Sequence, residues 1–151
     1  MQNADRTFTI SEVAELVGKP LNSVQTWRKK HYFPLEEQGG WHRFTMQELL
    51  GVAVFAEASA STVNYGFASL AASLAHQAFR EIMENEAAPY LVGADDPNFG
   101  DVAKLVYGIE GVQKAIVELV AGERNYGAYA VIDFSSILKR LFARLTERAA
   151  G

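Results

Sequence analysis

Gly18 and Pro20 stand two residues apart and divide two short segments of helical spacing. Before them, Val13, Leu16 and Val17 fall on one side, with Ser11 and Glu12 suited to a first turn, so a helix is expected over roughly 11–17 with Ser11 as its N-cap. Glycine ends a helix readily because it enters the left-handed region without a Cβ clash, and Gly18 is placed to do so. Pro20 and Leu21 then open a second helix, since the first turn has no use for the N–H that proline lacks. Along that helix Leu21, Val24 and Trp27 share one side, and Asn22, Gln25, Thr26 and Lys29 the other. The second face is polar and short-chained and ends in a basic run, as a reader of the DNA major groove requires. Trp27, three residues after Val24, reads as a core anchor.

A few residues on, Tyr32, Phe33 and Leu35 surround Pro34 as an apolar return segment. Gly39-Gly40 permits a tight turn between basic and aromatic residues, with Trp41, His42, Arg43 and Phe44 following as a short wing. Thr45, with Glu48 three residues later, is a capping box for a third helix whose apolar side holds Leu49, Leu50, Val52, Ala53 and Phe55. Ahead of everything, Phe8 and Ile10 alternate with Thr7 and Thr9 as an extended lead-in.

Taken in order, the runs Phe8 to Gly18, Ser23 to Arg28, Phe33-Pro34-Leu35 and Gly39 to Thr45 resemble the MerR and excisionase-like winged helix-turn-helix superfamily. The resemblance covers about residues 7–57. Ser23, Val24 and Trp27 fall on that family's Thr, Val and aromatic positions, Pro34 on its proline and Arg43 on its wing arginine. The resemblance implies a module that binds double-stranded DNA, with helix 21–30 in the major groove and wing 38–44 on the backbone or minor groove. The residues implied are Asn22, Ser23, Gln25, Thr26, Arg28, Lys29, Lys30, His42 and Arg43. Gln25 stands where the family usually has arginine, and Thr26 where Arg or Tyr is frequent. Glutamine bonds adenine N6 and N7 where arginine prefers guanine, so the preferred site should differ from the family's norm. Arg28, Lys29 and Lys30 would hold phosphates, which position without specifying. His42 and Arg43 would sit at the wing tip, where a narrow minor groove attracts arginine.

The rest of the chain says less. Val63, Phe67, Leu70, Leu74, Ala78 and Ile82 repeat at three or four, an amphipathic helix over 61–85 with Ala68, Ala71, Ala72 and Ala75 small enough for close helix approach. In the MerR family this position is commonly a dimerisation helix, which implies a homodimer; the same stripe could instead pack on 112–121 and 136–148 of its own chain. Pro89 stops it. Tyr90 to Val92 suits a strand, 102–109 a helix or a strand, 111–121 a helix stopped by Gly122, and Tyr129 to Ile132 a strand. A final helix follows, capped by Ser135, with Ile137, Leu138, Leu141, Phe142 and Leu145 on one face and Lys139, Arg140, Arg144 and Arg148 largely on the other. Tyr90, Phe99, Tyr107, Tyr126, Tyr129 and Phe134 read as core, with a pocket for an unidentified small-molecule effector as the alternative.

The expected fold is therefore mainly α: a winged helix-turn-helix over 7–57, a linking and dimerisation helix over 61–85, and a small α+β or α-helical lobe over 89–151 for oligomerisation or an effector. The net charge of −4 argues against a protein that coats nucleic acid indiscriminately. Yet Lys19, Arg28, Lys29, Lys30 and Arg43 cluster within one window against Glu36 and Glu37. The chain has no cysteine, hence no disulfide and no thiolate metal site. No signal peptide and no membrane-length apolar run is seen, so the cytoplasm is the expected compartment. His31, His42 and His76 lack metal spacing, Asp95, Asp96 and Asp101 lack the calcium-loop pattern, and no nucleophile elbow or phosphate loop appears, so no enzyme and no cofactor is expected. The function expected is a MerR-like, sequence-specific transcriptional regulator. Its alternatives are a phage-type architectural DNA-binding protein (an excisionase or packaging recognition subunit) and a protein-interaction module that has lost DNA binding.

Overall fold

A computed structural model of the chain describes residues 6–36, 42–61, 65–85, 88–95, 100–122, 126 and 128–150. The elements run α1 (Ile10–Val17), α2 (Leu21–Lys29), α3 (Met46–Ser61), α4 (Tyr65–Gln77), α5 (Phe79–Glu84), β1 (Pro89–Asp95), β2 (Val102–Tyr107), α6 (Gly108–Ala121), β3 (Ala128–Asp133) and α7 (Phe134–Ala150). The fold is mainly helical with one small antiparallel sheet, ordered β2-β1-β3.

Local chemistry accounts for the helix starts. Thr9, not Ser11, caps α1: Thr9 Oγ1 accepts from the Glu12 N–H at 3.2 Å, and Glu12 Oε1 accepts from the Thr9 N–H at 3.1 Å. Thr9 has a glutamate three residues on and Ser11 has Ala14, so only Thr9 can close a reciprocal box. Gly18 ends α1 at φ +69°, as expected. Thr45 and Glu48 form a second box at α3 (3.0 and 3.1 Å). For α7 the cap is Asp133 and not Ser135, with the Ser136 N–H donating to Asp133 Oδ1 at 3.1 Å and the Ser136 hydroxyl to Oδ2 at 2.8 Å. A carboxylate offers two acceptors to the orphan donors of a first turn, and it complements the positive end of the helix dipole.

The centre of the molecule is α3. From Leu49 to Ala56 every residue is buried, so this helix is apolar on all sides and lies inside the fold. Phe55 sits at the junction, with ring centroids 5.0 Å from Trp27, 5.1 Å from Tyr32 and 5.6 Å from Tyr65. Full burial of such a side chain stabilises the fold by about 1.5–3 kcal/mol. The expected boundary after residue 57 falls within this helix, and one continuous core extends from Phe8 to Leu145. That core also holds Trp27, Phe33 and Phe44, which confirms the anchoring role expected of Trp27.

Of the single helix expected over 61–85, residue 61 ends α3, Val63 and its two neighbours lie outside the described residues, and the rest is two helices, α4 and α5, with Ala78 between them. Its small residues do admit a partner helix closely, but the partner is α3 of the same chain. Ala68, Ala71, Ala72 and Ala75 are buried, the Gln47 side chain donates to the His76 carbonyl at 2.6 Å, and a Cβ at Gly51 would lie 3.8 Å from the Ala72 carbonyl. The face assigned to dimerisation is therefore occupied within the monomer. An alanine stripe specifies close approach, not which helix approaches.

In the sheet, β1 is central and pairs antiparallel with β2 (Leu91 opposite Leu105) and with β3 (Leu91 opposite Ile132). Odd-numbered positions of β1 face the main core. At Gly93 the Phe67 ring comes so close that an added methyl would lie 2.7 Å from its Cζ, so only glycine fits. Even-numbered positions face α6, whose Val112 and Ala115 close a second small core on Val92 and Val106. Segment 102–109, ambiguous by periodicity, is strand through Tyr107.

The last helix returns to the first. Arg144 Nη1 donates to the Leu16 carbonyl at 2.5 Å, and Arg148 pairs with Glu15 and with Glu12 (3.6 Å). Arg140 pairs with Glu57 at 3.0 Å. Three of the four cations placed opposite the apolar face of the last helix thus fasten α7 to α1 and α3.

Candidate nucleic-acid interface

Helix α2 is anchored by Val24 and Trp27, both buried. This turns Asn22, Gln25, Thr26 and Lys29, at spacings of three and four, to solvent. The Thr26 hydroxyl donates to the Asn22 carbonyl at 2.9 Å, leaving its oxygen as an acceptor. Ser23 and Arg28 are half-buried flanks, and Lys30 is exposed. Leu21, expected on the apolar side, is partly exposed at the start of the helix. The helix ends at Lys29 with Lys30 as its cap, and His31 follows, a non-glycine residue at φ +56°.

The extended stretch leading to α3 lies beside α1. Phe8 and Phe44 exchange two backbone hydrogen bonds of 2.8 Å, both side chains fully buried. In extended backbone, successive side chains alternate. Arg43 therefore faces out where Phe44 and His42 face in. Arg43 Nε donates to Thr7 Oγ1 at 2.9 Å and Nη2 to the Thr7 carbonyl at 3.2 Å, which holds the guanidinium over the surface.

His42 corrects the expectation. It is 8% exposed, edge-on to Phe44 with centroids 4.8 Å apart, and its Nε2 lies 3.2 Å from Glu48 Oε2 without hydrogen-bond geometry. The buried Glu48 carboxylate also accepts from the backbone N–H of Glu36 at 2.9 Å, so it ties the segment after α2 to the start of α3. His42 thus belongs to the floor under the module and not to an exposed tip. The remaining wing residues expected, Gln38, Gly39, Gly40 and Trp41, lie outside the described residues.

Between α1, α2 and the Arg43 stretch runs an open groove of about 930 Å³, lined by Ser11, Gln25, Arg28, Lys29, His31 and Arg43 among others. No carboxylate is among its described lining residues. Arg28, Lys29 and Lys30 form no ion pair among the described residues, whereas Arg6, Lys104, Arg140 and Arg148 all do. Arg28 and Lys29, which line the groove without an ion pair among the described residues, give it a local positive potential despite the acidic total. Thr7 and His31 were not foreseen. The alternation that turns Phe44 inward would have revealed the inward His42 as well.

Of the aromatics weighed as an effector pocket, Phe99 lies outside the described residues and the others do not gather in one place. Phe134 is core, Tyr90 is half-buried on the α6 side, and Tyr126 and Tyr129 meet edge-on at 5.9 Å. Tyr107 approaches Glu81, and burial, reinforced by that carboxylate, pushes its hydroxyl pKa up to about 12. No described helix is long and apolar enough to cross a membrane. Set against known proteins, the chain matches no protein-family model and no curated sequence.

Proposed function

We propose that this protein is a sequence-specific, DNA-binding transcriptional regulator of MerR-like type. In this reading α1, the Gly18–Pro20 turn and α2 act as a helix-turn-helix, with the Arg43 stretch as part of its wing. The observation that carries it is the groove beside α2, where a solvent-facing polar row adjoins three cations and no described carboxylate. Asn22, Gln25, Thr26 and Lys29 would face base edges, Gln25 through the bidentate pattern that suits adenine. Arg28, Lys30 and Arg43 would take phosphates, releasing counterions and making affinity salt-dependent. With its side chains an α-helix such as α2 is about 10–12 Å across, which a major groove about 12 Å wide admits.

A second reading, a docking site for another protein, draws on the net charge of −4 and on the missing recognition arginine at Gln25. Amide chemical-shift mapping of the labelled protein with a duplex separates the two. The DNA reading predicts perturbations centred on residues 22–30 and 43 that fade as salt rises. Shifts scattered over α6 or α7, or none at any salt, would contradict it.

A further inference from the structure

Helix α2 leaves through a complete C-terminal cap. The Tyr32 N–H donates to the Trp27 carbonyl at 3.2 Å and the His31 N–H to the Arg28 carbonyl at 3.1 Å, the two bonds that define a Schellman motif. An apolar contact between the ends of the motif commonly accompanies it. Here Trp27 and Tyr32 meet through the Phe55 ring, at 5.0 and 5.1 Å. His31 thus occupies the one position that must be left-handed, and its φ is +56°.

Glycine is the usual residue there, because a Cβ in the left-handed region crowds the carbonyl that follows. Gly18 meets the same demand at the end of α1, with φ +69°. Among the described residues His31 is the sole non-glycine with a positive φ. A strained backbone kept at one position points to a use for the side chain it carries.

That side chain is exposed and lines the groove beside α2. Its ring makes no ion pair and no hydrogen bond among the described residues. The charged or titratable groups lining the groove with it are Arg28 and Lys29 of α2 and His42 and Arg43 of the extended stretch. Lys30 precedes it in the chain, and α1 contributes Thr9, Ile10 and Ser11, none of them charged. The carboxylates of the neighbouring elements are turned elsewhere. Glu12 bonds the Thr9 N–H and approaches Arg148, and Glu48 is buried behind His42 on the N–H groups of Thr45 and Glu36. Among the described residues, the anion that would pair with an imidazolium in this groove must therefore come from a ligand.

We propose that His31 is a proton-linked phosphate contact: as an imidazolium it pairs with a backbone phosphate of a duplex seated in the groove, so that binding takes up a proton from solvent. The contact rests on the DNA reading of the groove and adds a pH response to it. Imidazole changes charge between about pH 5 and 8, where arginine and lysine stay charged. The protonated form carries one more phosphate contact, so affinity and salt dependence are greatest at the acidic end and decline as pH rises through that range.

The test is fluorescence anisotropy with a labelled duplex of mixed sequence, which suffices because phosphate contacts carry no sequence information. Salt series are run at about pH 5.5 and about pH 8, on either side of the imidazole range. For wild type the slope should be steeper by about 0.9 at the lower pH, the change that one further phosphate contact brings. His31→Asn keeps a residue that tolerates the left-handed region, and it should give one slope at both pH values. His31→Gly should bind as His31→Asn does, with a Tm no lower than that of wild type. A wild-type slope equal at both pH values, or a pH response that survives in His31→Asn, would overturn the proposal and leave the DNA reading standing. A lower Tm in His31→Gly would overturn it too, by showing that the imidazole serves the fold. No binding at either pH at any salt would overturn both.

Discussion

Arg43 is held by Thr7 through two hydrogen bonds, Nε to the hydroxyl at 2.9 Å and Nη2 to the carbonyl at 3.2 Å. The anchor lies thirty-six residues earlier, at the entrance to α1. A guanidinium so oriented loses less side-chain entropy on meeting a phosphate than a free one would. Arg43→Ala should weaken binding to duplexes of every sequence alike and lower the salt slope by about 1. Fluorescence anisotropy over a salt series measures both quantities. An unchanged slope would remove Arg43 from the interface.

Gln25 should behave differently. It stands mid-row on the exposed face of α2, where truncation removes a candidate base contact and no packing. Gln25→Ala is expected to relax preference at one base position by about 1–3 kcal/mol, with little change in Tm. Competition between single-base variants of a selected site measures it, and a uniform loss over all sequences would assign Gln25 to the backbone instead.

Glu48 lies beneath the proposed interface. Its carboxylate accepts from the N–H groups of Thr45 and Glu36 and approaches His42 while itself fully buried. Glu48→Ala strands two backbone donors and opens the α3 cap, so a loss of about 2–4 kcal/mol is expected in urea denaturation. A loss below about 1 kcal/mol would show that water replaces the carboxylate readily.

The junction of α1 with α7 should be sensitive to acid. The Thr9 backbone N–H holds the Glu12 carboxyl below its usual range against the opposing effect of burial, with help from the Thr9 hydroxyl, Arg148 and Arg6. A depressed folded-state pKa contributes stability above the unfolded value of 4.5, and that contribution is lost as pH falls through the folded value. The stability gap between wild type and Glu12→Gln should therefore be constant near neutrality and close below about pH 4.5. A gap that widens on acidification would contradict the assignment.

What was legible in the sequence was local. Gly18, the Thr45–Glu48 box and the burial of Val24 and Trp27 depend on residues within one or two turns, and the structure agrees with each. Ser11 and Ser135 were misplaced as caps because Thr9 and Asp133 stand two residues earlier, and the choice lay in which has the right residue three positions on. The partner of the alanine stripe on α4 could not be read, because small residues accept any helix and α3 happens to be the neighbour in the chain. The arginines of α7 were unreadable for a related reason: Glu12, Glu15 and the Leu16 carbonyl lie more than a hundred residues away. His42 was legible in principle. Two positions before a buried phenylalanine in extended backbone, it had to face inward.

The central claim, that the α2 groove reads duplex DNA, is tested most directly by selection from a random duplex library, followed by titration of the enriched site at two salt concentrations. Enrichment of a defined site with affinity falling steeply as salt rises is the predicted result. No enrichment and no binding at either salt would contradict the account.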